Sequence, residues 1–164
     1  MIHDIHYQKV KLFYGDRRAK RSGQLYMRHI DQGLEILDRI NASVFAKQAF
    51  CLHPLVQKDE DLERVIQWGS LNKCSPTIVA IAMEYRRVAN SYLSRHNLTT
   101  EVNLGPLDDV RKMLIADKIQ NYRDLLLHNT NHPRYDRLVK YFNSWMAILH
   151  INKYMYDEIT LRLK

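Results

Sequence analysis

Apolar residues recur along most of this chain at intervals of three and four positions, the spacing of helices that bury one stripe. The segment from Gln24 to Ile40 is an example, because Tyr26, Ile30 and Leu37 fall on one side of a helix. The alternating pattern of half-buried strands is weak throughout. We therefore predict an all-α fold.

Start and stop signals divide the chain into about six to seven helices in one compact domain, residues 1–164. Ser75 and Pro76 supply an N-cap and a first-turn proline, and Gly69 fits a C-terminal stop. Loops are expected near residues 95–106 and 128–133. The predicted helices cover about residues 24–40, 43–52, from Pro54 or Asp59 to Trp68, 75–94, 107–127 and 134–161.

Length, cysteine usage and the lack of long apolar stretches predict the compartment in which the protein works. A chain of 164 residues can bury a core without disulfides. Cys51 and Cys74 form neither a CxxC pair nor a zinc-ligand set, so we predict two buried thiols in a reducing compartment. No stretch approaches the roughly 18 apolar residues of a membrane span, and the first twenty residues lack the apolar core of a signal peptide. We expect a cytoplasmic protein without a membrane partner.

The net charge of +7 suggests an anionic partner, but it does not distinguish nucleic acid from a small phosphorylated ligand. Six basic residues lie within residues 1–24, against Asp4 and Asp16. This stretch is either a solvated basic face or a phosphate-binding segment. Binding to nucleic acid is a further hypothesis that rests on charge alone. The six basic residues are Lys9, Lys11, Arg17, Arg18, Lys20 and Arg21.

Three side chains capable of holding a metal fall on apolar faces. Asp117 shares the helical stripe of Val110 and Met113, and a carboxylate removed from water needs a cation, a metal or strong donors. His29 shares a helical stripe with Leu25, Gly33 and Ile36, and His53 lies within the apolar run AFCLHPLV. Each alone fits an ordinary hydrogen-bonded core residue. Together, two imidazoles and a carboxylate predict a divalent metal site with open positions.

Three segments resemble the HD-superfamily (p)ppGpp hydrolases, the hydrolase half of RelA/SpoT proteins and their small single-domain relatives. They are RSGQLYMRHI (21–30), AFCLHPLVQKDEDLERV (49–65) and ADKIQNYRDL (116–125), in the family's order. The family shows GxPYxxHP, LLHDxxED and LADKLxNLRDL. The resemblance spans most of residues 17–145 and implies a helical HD-type domain.

By this resemblance, His29, His53 and Asp117 are the metal ligands and manganese is the expected ion. Pro54 stands where the family has the aspartate of its HD pair, and proline offers no ligand atom. A site that has lost its metal is therefore an alternative.

The family's Glu-Asp pair, which positions the hydrolytic water, falls on Gln57 and Lys58. These side chains cannot replace two carboxylates. Asp59 and Asp61 are the candidate catalytic substitutes; alternatively, they form the polar first turn of a helix.

The resemblance also implies a phosphorylated, guanosine-type nucleotide as ligand, with metal-dependent hydrolysis of a phosphoester. The alternative is a degenerate HD module that senses a nucleotide or binds a protein. The residues implied in nucleotide binding have ordinary alternatives as solvated, ion-paired or core side chains. They are Arg17, Arg18, Lys118, Asn121 and Tyr141.

Overall fold

A computed structural model describes residues 4–20, 22–93, 102–161 and 163. These residues form eight helices and no strand, so the all-α prediction is confirmed and the predicted count of six to seven is too low. The helices are α1 (Ile5–Tyr14), α2 (Tyr26–Arg39), α3 (Val44–Val56), α4 (Asp59–Gln67), α5 (Pro76–Leu93), α6 (Asp108–His128), α7 (Tyr135–Ile148) and α8 (Lys153–Thr160).

Helix α3 lies at the centre and contacts α1, α2, α4, α5 and α6. It begins at Ser43, whose hydroxyl accepts a hydrogen bond from the Ala46 N–H at 3.0 Å. All of residues 49–56 are buried. Helices α2 and α6 pack against α3 and against each other, so polar side chains on their facing sides meet in the interior.

The N-terminal helix α1 was not predicted. Asp4 caps it by accepting from the His6 N–H at 2.8 Å, and Gly15 ends it with a positive φ of 53°. Its buried side is formed by His6, Tyr7 and Val10. Two of these three side chains carry polar groups, which is why the apolar stripe is faint in the sequence.

Helix α3 continues through Pro54 to Val56, whereas the sequence predicted an end at Leu52 and a non-helical His53. Proline has no N–H, so the Phe50 carbonyl loses the donor that residue 54 would otherwise supply. His53 Nδ1 donates to that carbonyl at 2.6 Å instead. Burial on all sides and this replacement bond outweigh the cost of an interior proline.

The predicted last helix, residues 134–161, is two helices. His150 adopts a left-handed conformation with φ 58°, and the Ile151 N–H donates to the Met146 carbonyl at 2.8 Å, closing α7. Asn152 then caps α8 by accepting from the Met155 N–H at 2.9 Å. The sequence has no glycine at the left-handed position, and the break was missed for that reason.

Helix α5 begins at Pro76 as predicted, and Ile78, Ile81 and Tyr85 form part of its buried side. The predicted end at Ser94 and most of the loop 95–106 lie outside the described residues. Cys51 is fully buried, whereas Cys74, also predicted to be buried, is only partly buried, two residues before α5 begins. Among the helices described, none has both the length and the apolar character needed to cross a membrane.

Candidate metal centre and adjoining pocket

The three side chains predicted as metal ligands meet where α2, α3 and α6 pack together. His29 Nε2 lies 3.4 Å from His53 Nε2 and 3.5 Å from Asp117 Oδ1. Within the described part of the chain, their potential ligand atoms all fall within 4.8 Å of one another. The convergence that a metal site requires is present, while metal binding itself stays a prediction.

A hydrogen bond on the far side of each imidazole directs its Nε2 lone pair into this space. His53 Nδ1 donates to the Phe50 carbonyl and His29 Nδ1 donates to Gln120 Oε1, both at 2.6 Å. Because both partners are acceptors, the proton of each neutral ring is assigned to Nδ1. Each Nε2 then has the free lone pair that binds a metal ion.

His53 is the more buried of the two imidazoles. Burial first, and then the neighbouring His29, lowers the pKa of His53 to about 3. Its ring packs between Phe50 and Tyr85, with centroid distances of 4.7 and 5.0 Å. His53 is therefore neutral in the folded protein at physiological pH, the state that a metal ligand needs.

Asp117 remains a carboxylate although it is buried. Burial alone would raise its pKa, but Lys118 and then the two imidazoles outweigh burial and lower the pKa to about 2. Lys118 Nζ donates to Oδ2 at 2.7 Å, and Asn121 Nδ2 donates to Oδ1 at 2.9 Å. The ammonium of Lys118 lies 4.9 Å from the centre of the Trp145 ring. Since Lys118 already balances this carboxylate, a bound divalent ion would leave the centre net positive.

Two of the three separations in the donor set match those expected around one divalent ion. Metal bonds of about 2.1 Å at a tetrahedral angle place neighbouring ligand atoms about 3.4 Å apart. The separations from His29 Nε2, 3.4 Å to His53 and 3.5 Å to Asp117, are close to that value. Two lone pairs that face each other at 3.4 Å repel, and a cation or a proton donor between them would relieve that repulsion.

The three side chains lie in the wall of a pocket of about 510 Å³. Four of the five residues predicted to bind a nucleotide line this pocket, and so does the predicted catalytic residue Asp61. The four are Arg17, Lys118, Asn121 and Tyr141. The structure therefore brings most of the candidate residues together around the predicted metal ligands.

Arg18 and Asp59, by contrast, are not part of the pocket wall. Arg18 is exposed and donates to the Gly23 carbonyl at 2.9 Å, within the turn between α1 and α2. Asp59 is exposed and forms an ion pair with Arg86. Residues two positions apart on a helix point about 200° apart, so Asp61 faces the pocket and Asp59 does not. The contacts of Arg18 and Asp59 therefore place both side chains away from the pocket.

Several wall residues were not predicted. Tyr14 stacks on Tyr26 with ring centroids 5.1 Å apart, and Arg28 lies two residues after Tyr26 in the first turn of α2. The Arg17 guanidinium lies 4.8 Å from the centre of the Phe13 ring. Phe13 and Tyr14 belong to the unpredicted α1, for which the cap residue and the terminal glycine were the available signals.

The basic N-terminal residues divide between structural contacts and solvent. Lys9 donates to the Ser70 carbonyl at 2.5 Å and ties α1 to the turn that follows α4. Arg17 bonds to backbone carbonyls of α1 at the pocket, while Lys11 and Lys20 are exposed. Arg21 lies outside the described residues. Among the described basic residues of this stretch, Arg17 is the one that lines the candidate site.

Comparisons with known proteins do not place the chain in a family. No protein-family model, no curated protein and no solved structure matches it. The function therefore has to be argued from the side chains of the site and from the three sequence segments that resemble the HD hydrolases.

Proposed function

We propose that the protein is an HD-type phosphohydrolase that binds a divalent metal, manganese by resemblance, and a phosphorylated guanosine-type nucleotide. The observation that carries the proposal is the meeting of two Nε2 lone pairs and a carboxylate beside a pocket. Three protein ligands leave coordination positions for water and a phosphate oxygen.

The charges around the pocket support an anionic ligand. Arg17, Arg28 and Lys58 line it as cations, whereas Lys118 is engaged by Asp117. Guanidinium groups hold phosphate oxygens with paired hydrogen bonds. The metal would add to this positive potential, because the carboxylate of the centre is already neutralised.

The aromatic residues support a planar base. Tyr14, Tyr26 and Tyr141 lie in the same pocket wall and offer ring faces or edges to a ligand. A volume of about 510 Å³ is within the usual range for small-molecule sites. Phosphate and base would therefore be held by different parts of one pocket.

A divalent ion would supply Lewis acidity and lower the pKa of a bound water. The chain's own contribution is to present two neutral imidazoles and one carboxylate and to supply a proton acceptor. Asp61 is the candidate acceptor, since it lines the pocket and its pairing with Arg64, at 3.9 Å, is loose. Gln57 cannot take this part, because an amide does not accept the water proton.

Nucleotide binding without hydrolysis is the second candidate function. The ion pair of Lys118 with Asp117 favours it, because the buried carboxylate already has a cation when no metal is bound. Pro54 also removes one family ligand and Gln57 and Lys58 remove two carboxylates. Such a protein would retain the pocket and its cations but lack turnover.

The test is a screen of nucleotides, guanosine tetraphosphate included, for thermal stabilisation and for product release with added manganese. The phosphohydrolase proposal predicts both stabilisation and turnover. The matched pair Asp61→Asn and Asp59→Asn assigns the proton acceptor: the first variant should lose turnover by about 10²-fold or more, and the second should keep it.

Stabilisation without turnover would favour the second candidate. The absence of both, for every nucleotide with and without manganese, would contradict the two candidates together. If Asp59→Asn reduces turnover as strongly as Asp61→Asn, the assignment of Asp61 is wrong.

A further inference from the structure

We propose that Gln120 and Gln32 are positioning residues that hold His29 in its Nδ1–H tautomer and thereby aim its Nε2 at the metal. The role of that Nε2 as a ligand rests on the proposed function. The tautomer itself does not, and it can be measured in the metal-free protein.

The amide of Gln120 has a defined orientation. Its Nε2 donates to Gln32 Oε1 at 3.1 Å, which leaves its Oε1 facing His29 Nδ1 at 2.6 Å. An oxygen in that place accepts only, so the imidazole must carry its proton on Nδ1. If the amide turned over, its NH₂ group would face Nδ1 and favour the opposite tautomer, with the proton on Nε2.

Both glutamine side chains are buried in the interior of the protein. Gln32 and Gln120 are 4% and 5% exposed, and a buried amide is retained only where its hydrogen bonds are satisfied. Gln32 lies one turn after His29 on α2, and Gln120 lies one turn after Asp117 on α6. The amide pair therefore joins the two helices that present these ligands, one turn away from the ligands themselves.

Outer contacts of this kind commonly fix the orientation of a metal-binding histidine. The role of Gln32 is the distinctive part of the proposal, because Gln32 acts on His29 through Gln120. A residue with only a packing role would change stability on substitution without changing which ring nitrogen of His29 carries the proton.

The first experiment is ¹⁵N NMR of histidine-labelled, metal-free protein at a pH well above the ordinary histidine pKa. The wild type should show His29 protonated at Nδ1. Gln120→Glu should preserve that state, because a carboxylate also accepts from Nδ1. Gln120→Leu and Gln32→Leu should each shift His29 towards the Nε2–H form.

The second experiment is titration of the same proteins with Mn²⁺ and Zn²⁺ alone, by calorimetry. Gln120→Leu should weaken metal binding by about 10- to 100-fold, Gln32→Leu by a smaller factor, and Gln120→Glu least. Gln48→Leu is the matched control, since Gln48 is a partly buried glutamine whose amide bonds to Asp4 at 2.7 Å. It should leave both the His29 tautomer and the metal affinity unchanged.

The proposal is overturned if wild-type His29 is protonated at Nε2, or if Gln32→Leu leaves the tautomer as in the wild type. If the leucine variants fold poorly, Gln120→Glu still provides a test, because the proposal is overturned if this variant shifts His29 to the Nε2–H form. An Nδ1–H wild type whose variants shift as expected, but which binds no metal, would support the positioning role and reject the metal-dependent function.

Discussion

Substitution of Gly33 by alanine tests how closely α2 and α3 approach beside the site. An added Cβ would lie 2.2 and 2.3 Å from Cε1 and Cζ of Phe50. Carbon atoms in contact are normally about 3.5 to 4.0 Å apart, so the ring would have to move by more than about 1 Å. Phe50 is fully buried and packs against both His53 and His29, so it has no free direction.

Two opposing effects decide whether Gly33→Ala raises or lowers the free energy of unfolding. Alanine in place of glycine inside a helix gains about 1 kcal/mol from propensity. Overpacking of a tight core costs about 1 to 3 kcal/mol, and the size of this overlap places the cost at the upper end. We expect Gly33→Ala to lower the free energy of unfolding by about 2 kcal/mol and the Tm by about 4 to 8 °C.

The assay is urea denaturation of the single variants Gly33→Ala and Phe50→Leu and of the variant that carries both substitutions. Phe50→Leu removes the ring that the new methyl group meets, so Gly33→Ala in that background should be neutral or stabilise by up to about 1 kcal/mol. If the single Gly33→Ala variant is as stable as the wild type or more stable, the close approach of the two helices is refuted.

Two further predictions concern charge in the metal-free protein. The pKa of His53 is lowered to about 3, chiefly by burial, from 6.5, so between these values only the unfolded chain gains the proton. The free energy of unfolding should fall by up to about 1.4 kcal/mol per unit as the pH decreases through that window, measured with urea. His53→Gln should reduce this slope, and an unchanged slope would contradict the assignment. Lys118→Met should destabilise by about 3 to 5 kcal/mol, because Asp117 loses its cation. Added Asp117→Asn or a divalent metal should restore part of that loss; full stability of the single variant would argue against a charged carboxylate.

The inward position of Asp117 could be predicted because Val110, Met113 and Leu114 precede it at helical spacing, and all three are buried. The meeting of Asp117 with His29 and His53 could not follow from periodicity, since the three residues lie on different helices. The order of the family-like segments supplied that expectation, and the geometry around His29 bears out the convergence.

Other features of the fold and the site depend on tertiary contacts that the local sequence does not indicate. Arg17 and Arg18 are neighbours in one turn, and only the course of the chain decides that Arg17 reaches the pocket. Gln120 is an ordinary polar residue in the sequence, and its role appears only when α2 supplies Gln32 opposite it. The left-handed His150 likewise lacks the glycine that usually announces a helix end.

The central claim is that His29, His53 and Asp117 bind one divalent metal ion. Its most direct test is calorimetric titration of metal-stripped protein with Mn²⁺ and with Zn²⁺, together with the His29→Ala, His53→Ala and Asp117→Asn variants. The account predicts one equivalent bound by the wild type and weak or no binding by each folded variant. Absence of binding to the wild type, or binding that the three substitutions leave unchanged, would contradict it.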